Sequence, residues 1–147
     1  MRIADKVLNT REYREVTLKR ASGDLKIKVF SFPLGLKQAF NKLIPKPLPP
    51  VTSTNTGSTP NYNDPLWQKA IEDYNDLEKY FQLWIVTKDD ETIKYDNTPV
   101  NQASLSALRE EIISSGLSPG DYNNIITAAV AAGNITEEDV TEAKKGF

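Results

Sequence analysis

Asp64-Pro65-Leu66-Trp67-Gln68-Lys69-Ala70-Ile71-Glu72-Asp73-Tyr74-Asn75-Asp76-Leu77-Glu78-Lys79-Tyr80-Phe81-Gln82-Leu83-Trp84-Ile85 carries the strongest periodic signal in the chain. Asp64 is a good helix cap, and Pro65 at the first helical position sacrifices no hydrogen bond. Trp67, Ala70, Ile71, Tyr74, Leu77, Phe81, Trp84 and Ile85 then recur three and four residues apart. Glu72, Asp73, Asp76, Glu78 and Lys79 take the opposite side. That spacing predicts an amphipathic helix of about six turns. Its aromatic stripe is either core or a surface kept for a partner. Core is favoured, because aromatic side chains dominate buried area in a small chain. The interface alternative names Trp67, Tyr74, Phe81 and Trp84.

Upstream of that helix the period changes to two. Val16 and Leu18 share one face of a strand, while Leu25, Ile27 and Val29 alternate with Lys26 and Lys28. Ala21-Ser22-Gly23-Asp24 supplies the turn, so Tyr13 to Phe32 is expected to be a β-hairpin. Val16 and Leu18 are its candidate partner contacts. Pro33 is expected to open a short helix through Leu36, Ala39, Phe40 and Leu43, which must stop before Pro45. Pro45, Pro47, Pro49 and Pro50 then favour an extended path. Val51 to Asn63 is Thr-, Ser- and Asn-rich, which predicts a loop or linker and the site most open to proteases.

Downstream, Lys88 to Val100 breaks the helical pattern. Its acidic residues lack the spacing and the glycine of an EF-hand, so a solvated acidic loop is expected. Asn101 or Ser104 starts a helix with Leu105, Leu108, Ile112 and Ile113, stopped by Gly116. Ser118-Pro119-Gly120-Asp121 has the form of a capping box, opening a helix that Gly133 closes. Thr136-Glu137-Glu138-Asp139 repeats that logic before a short helix with Val140 and Ala143. The expected fold class is α+β. A β-hairpin with a short helix (1–44) is followed by a Pro/Ser/Thr-rich linker (45–63). A helical domain (64–147) comes last, with one long helix and three short capped ones.

Composition narrows the function. The 147 residues include no histidine and no cysteine. Those are the usual carriers of acid–base work near neutral pH, thiolate chemistry and tight transition-metal binding. No P-loop, serine elbow or Gly-rich dinucleotide turn stands in their place. The expectation is a binding protein without catalytic residues, metal or cofactor. Met1 to Thr10 has no signal-peptide pattern and no stretch is apolar enough to span a membrane, so a cytoplasmic location is expected. Residues 1–63 hold eleven Lys and Arg against four Asp and Glu, whereas residues 64–147 hold seven against sixteen. Nucleic acid is one reading of the basic half. Solvated strand faces account better for lysines that alternate along a strand with no aromatic residues interleaved. Opposite charge also lets the halves attract each other, within one chain or between copies.

The Pro-rich run, the polar gap and Asn63-Asp64-Pro65-Leu66-Trp67-Gln68-Lys69-Ala70 together resemble the entry to the long helix in tail assembly chaperones of long-tailed bacteriophages. Gly116-Leu117-Ser118-Pro119-Gly120-Asp121-Tyr122-Asn123, followed by Ile135 to Ala143, is similar to that family's C-terminal pair of capped helices. The likeness covers most of residues 12–147 in order of elements. It implies a non-enzymatic protein of the infected host's cytoplasm that holds the tape-measure protein, recruits tail-tube subunits and leaves the finished virion. It also implies two product lengths, made by ribosomal frameshifting. Ala143-Lys144-Lys145 can be encoded by an A-rich slippery run, although terminal lysines are also ordinary helix ends. A virion structural component (tail, neck or capsid decoration) and a nucleic-acid-binding regulator are the competing expectations.

Overall fold

A computed structural model describes the backbone at residues 2–3 and 6–7 and the chain from 11 to 134. The architecture is α+β. Strands β1 (Arg2–Ile3) and β2 (Lys6–Val7) pair antiparallel, as do β3 (Tyr13–Leu18) and β4 (Leu25–Phe30). Helix α1 (Leu36–Leu43) precedes a third antiparallel pair, β5 (Val51–Thr54) with β6 (Gly57–Pro60). Helices α2 (Pro65–Thr87), α3 (Gln102–Ser114) and α4 (Pro119–Gly133) follow. The expected helix at Thr136, and Ala143-Lys144-Lys145, lie outside the described residues.

The β3–β4 register sets Val16 opposite Ile27 and Leu18 opposite Leu25. One face of this ribbon is therefore apolar, and Val16, Leu18, Ile27 and Val29 are buried on it. The other face carries Glu15, Thr17, Lys26 and Lys28. Gly23 turns the ribbon at φ 127°, a conformation costly for a residue with a Cβ. The apolar face lies on α2 and α4. Helix α1 docks on the middle of α2, where the Phe40 ring meets Tyr74 at 5.0 Å and Phe81 at 5.6 Å. Its first residue is Leu36. Pro33 instead forms the preceding turn, its carbonyl accepting from Leu36 N–H at 3.2 Å.

Asp64 caps α2 through Trp67 N–H at 2.9 Å. The helix is not uniform along its length. Before Tyr74 it is largely exposed, whereas Phe81, Leu83, Ile85, Val86 and Thr87 are buried around much of its circumference. Helix α3 packs on α2, and α4 touches both α2 and the ribbon, so this end is surrounded. Two reciprocal capping boxes, Asn101 with Ser104 and Ser118 with Asp121, start α3 and α4.

One hydrophobic cluster runs from Val16 through Phe40 to Ala129, so residues 11–44 and 64–134 share a core rather than forming separate units. The linker contains a hairpin: Thr54 pairs with Gly57 across Asn55-Thr56, and Asn61 N–H extends the ladder to Pro50 carbonyl at 2.7 Å. Every side chain from Val51 to Pro60 is nevertheless exposed. This hairpin is an arm held by its backbone ladder and by the Thr54 hydroxyl, which donates to the Gly57 carbonyl at 2.7 Å, with no apolar burial.

Part of the charge asymmetry is paired within the chain. Arg11 reaches Asp89 at 3.6 Å and Arg20 reaches Asp121 at 2.7 Å, while Lys37 reaches Glu78 at 2.5 Å. Each pair joins the basic first half to the acidic second half. Among the described residues, no helix is long and apolar enough to cross a membrane.

Candidate functional site

The most developed concavity starts from an edge. Asp90 accepts the Lys28 N–H at 2.5 Å, so this N–H points away from β3. Antiparallel strands alternate inward- and outward-facing backbone groups, which places the N–H and C=O of Lys26 on the same outer edge. Among the described residues no hydrogen bond engages them there. Asp90 also accepts Thr92 N–H at 2.6 Å and the Thr92 hydroxyl at 2.5 Å. It thus closes its own turn and staples that turn to β4. The expected solvated loop is corrected at this residue, which is only 5 % exposed. Burial works against the charge of Asp90, but the bonds from Lys28 and Thr92 outweigh it and hold the carboxyl below its ordinary range.

Between β4 and the segment after this staple lies a cleft of about 470 Å³. Leu25 and Ile27 form the strand side, Ile93 and Tyr95 the facing wall, and Leu83 and Ile125 line it from the helices. It is within the size range of ligand pockets, and its surface is mostly apolar with polar and charged groups among it. A smaller hollow of about 130 Å³, lined by Glu15, Lys28 and Glu91 among others, adjoins the same edge.

Hydroxyls in the cleft are already committed. Thr87 donates to the Leu83 carbonyl at 2.7 Å and lies 2.6 Å from the Tyr95 hydroxyl. Burial pushes the Tyr95 phenol up, away from ionisation. Ser115 bonds the Ile112 carbonyl at 2.5 Å. Five charged groups line the cleft: Arg20, Asp24, Lys26, Lys94 and Glu111. Arg20 is held by Asp121, and Glu111 accepts from Asp96 N–H at 2.8 Å and Asn97 N–H at 2.9 Å. Lys26 and Lys94 have no ion pair among the described residues. The uncommitted charge is therefore mostly positive.

The residues expected from sequence to bind a partner fall elsewhere. Val16 is buried in the core, which corrects its reading as an exposed contact; Tyr74 and Phe81 are buried there too, as the favoured core reading of the stripe expects rather than its interface alternative. Leu18 is buried too, although its inner side reaches the cleft. Trp84 is half-buried, with Phe81 at 5.8 Å and Lys88 Nζ 5.6 Å above its ring. Trp67 closes the base of the β5–β6 arm. Its Nε1–H donates to Pro47 carbonyl at 3.2 Å, and its ring meets Tyr62 edge-on at 5.5 Å. Sequence reasoning missed Leu25, Lys26, Ile93, Lys94 and Tyr95 as one site. Ile93-Lys94-Tyr95 does alternate with a strand's period, but three residues are too few to read among acidic neighbours.

Scans of this chain against protein-family models, curated proteins and solved structures return no match.

Proposed function

We propose that this chain is a non-enzymatic assembly chaperone that holds the tape-measure protein of a long-tailed bacteriophage and brings tail-tube subunits to it. The observation that carries this reading is the apolar cleft beside the open edge of β4. An aggregation-prone partner can shelter apolar side chains there. The committed hydroxyls and the low-lying Asp90 carboxyl favour holding over chemistry, because neither supplies an activated nucleophile or a base poised near neutral pH. Arg11, Arg20 and Lys37 are spent on pairs within the chain, which weakens a nucleic-acid reading. The work would be done in the host cytoplasm. A longer form would keep the residues up to about Lys145 and continue in an overlapping frame, with slippage at the codons of Ala143 to Lys145.

Co-expression with the cognate tape-measure protein tests this reading. The tape measure is expected to move from the insoluble to the soluble fraction with the wild-type chain. Ile93→Asp, which places a charge in the cleft, should abolish the shift. An unchanged soluble fraction with wild type overturns the proposal.

A further inference from the structure

We infer that the cleft receives an extended segment of the partner polypeptide, added as a third strand along β4. Residues of that segment alternate between apolar side chains that fill the cleft and acidic side chains that meet Lys26 and Lys94. The inference names the binding mode of the site proposed above, and rests on that reading for the partner's identity.

Three features converge on a strand. Among the described residues the β3–β4 ribbon has two strands, and the outer N–H and C=O of Lys26 offer one donor and one acceptor at the spacing an extended backbone needs. The apolar surface under the ribbon continues past β4 to Ile93 and Tyr95, so an added strand has a floor for every second side chain. Asp90 closes the edge at Lys28, which confines pairing to the end near Leu25 and Lys26 and defines where the segment stops.

Charge selects the segment. Lys26 and Lys94 both line the cleft without ion partners among the described residues, so acidic residues are attracted and basic ones repelled. A second copy is a poor occupant: its β5–β6 arm contains no acidic residue, and Val51 is its one large apolar side chain.

The test uses the full chain, isotope-labelled, and a capped eight-residue peptide alternating valine with glutamate. Binding is expected to slow hydrogen exchange of the Lys26 amide. Two further peptides carry N-methyl groups, one on every valine nitrogen and one on every glutamate nitrogen. Strand pairing turns only one of these two sets towards β4, so one peptide should lose about tenfold in affinity and the other little. Replacing glutamate by lysine should also weaken binding about tenfold.

An unprotected Lys26 amide, or equal effects of the two methylated peptides, overturns strand addition. Binding as a helix or as a loose apolar contact would give those results. Lys26→Pro removes the outward donor at an edge position, with Lys26→Ala controlling for lost charge. Tape-measure solubility that is rescued equally by wild type and by a folded Lys26→Pro chain overturns strand addition and leaves the chaperone reading standing. Peptide binding with Lys26 protection but no rescue by wild type does the reverse.

Discussion

The β3–β4 ribbon and the β5–β6 arm are built by the same local rule and have opposite fates. Both are antiparallel hairpins of neighbouring strands with a positive-φ glycine at the turn, Gly23 in one and Gly57 in the other. In the ribbon, Val16, Leu18, Ile27 and Val29 share a face and bury it on α2 and α4. In the arm the same positions are threonine, serine and glycine, and nothing packs beneath them. An isolated two-stranded hairpin is marginal in water, so the arm depends on Trp67 at its base. Pairing is thus decided locally, and burial by the pattern of apolar residues.

The largest test of this contrast removes one apolar side chain from each hairpin. Leu18→Ala should cost about 2–5 kcal/mol in urea unfolding, as for other buried leucines. Val51→Ala should change stability by less than about 0.5 kcal/mol. Equal costs would break the comparison.

A middle-sized effect sits at the staple between ribbon and loop. Asp90→Ala strands the Lys28 and Thr92 donors and should cost about 1–3 kcal/mol, with faster exchange at the Lys28 amide. The pH dependence follows from the same carboxylates. Asp90 is held below its ordinary range by the backbone bonds that outweigh its burial, and Asp121 first by the Arg20 hydrogen bond. Both titrate near pH 4 when unfolded, so their contribution is complete above about pH 4 and is lost as pH falls through their lower folded range. An Asp90→Asn, Asp121→Asn double variant should therefore show a shallower loss of stability under acid, measured by urea titration from neutral pH downward.

The smallest effect concerns the arm. Trp67→Ala should lower global stability by only about 1 kcal/mol, yet speed exchange and broad-specificity proteolysis throughout Val51 to Pro60. Equal acceleration in the ribbon would mean that arm and ribbon are one cooperative unit.

Much of the fold was legible because its signals are local. Gly23 between alternating strands, Asp64 before Pro65, and Ser118 three residues before Asp121 each announce a boundary within a few positions. The arm was half-legible. Thr52 and Thr54 favour strand, but without apolar alternation the segment read as a linker. The site was the least legible part. Asp90 is buried only because a strand 62 residues away presents an N–H to it. Leu83, Val86 and Thr87 are buried because three elements surround the end of α2, which no single helical stripe encodes. The aromatic stripe was read mainly as core, and Tyr74 and Phe81 do lie in the core, while the cleft lies beside β4.

The Arg20–Asp121 pair ties residues 101 positions apart, and the ribbon's apolar face rests on α4, whose first turn holds Asp121. During synthesis the ribbon leaves the ribosome long before that helix exists. At ~5–20 residues per second, the interval from Arg20 to Asp121 is about 5–20 s. Throughout it, Val16, Leu18, Ile27 and Val29 form a sticky strand pair without its cover, and the basic half lacks its acidic counterpart. A nascent chain of this design needs its apolar strand pair covered before its own core can close.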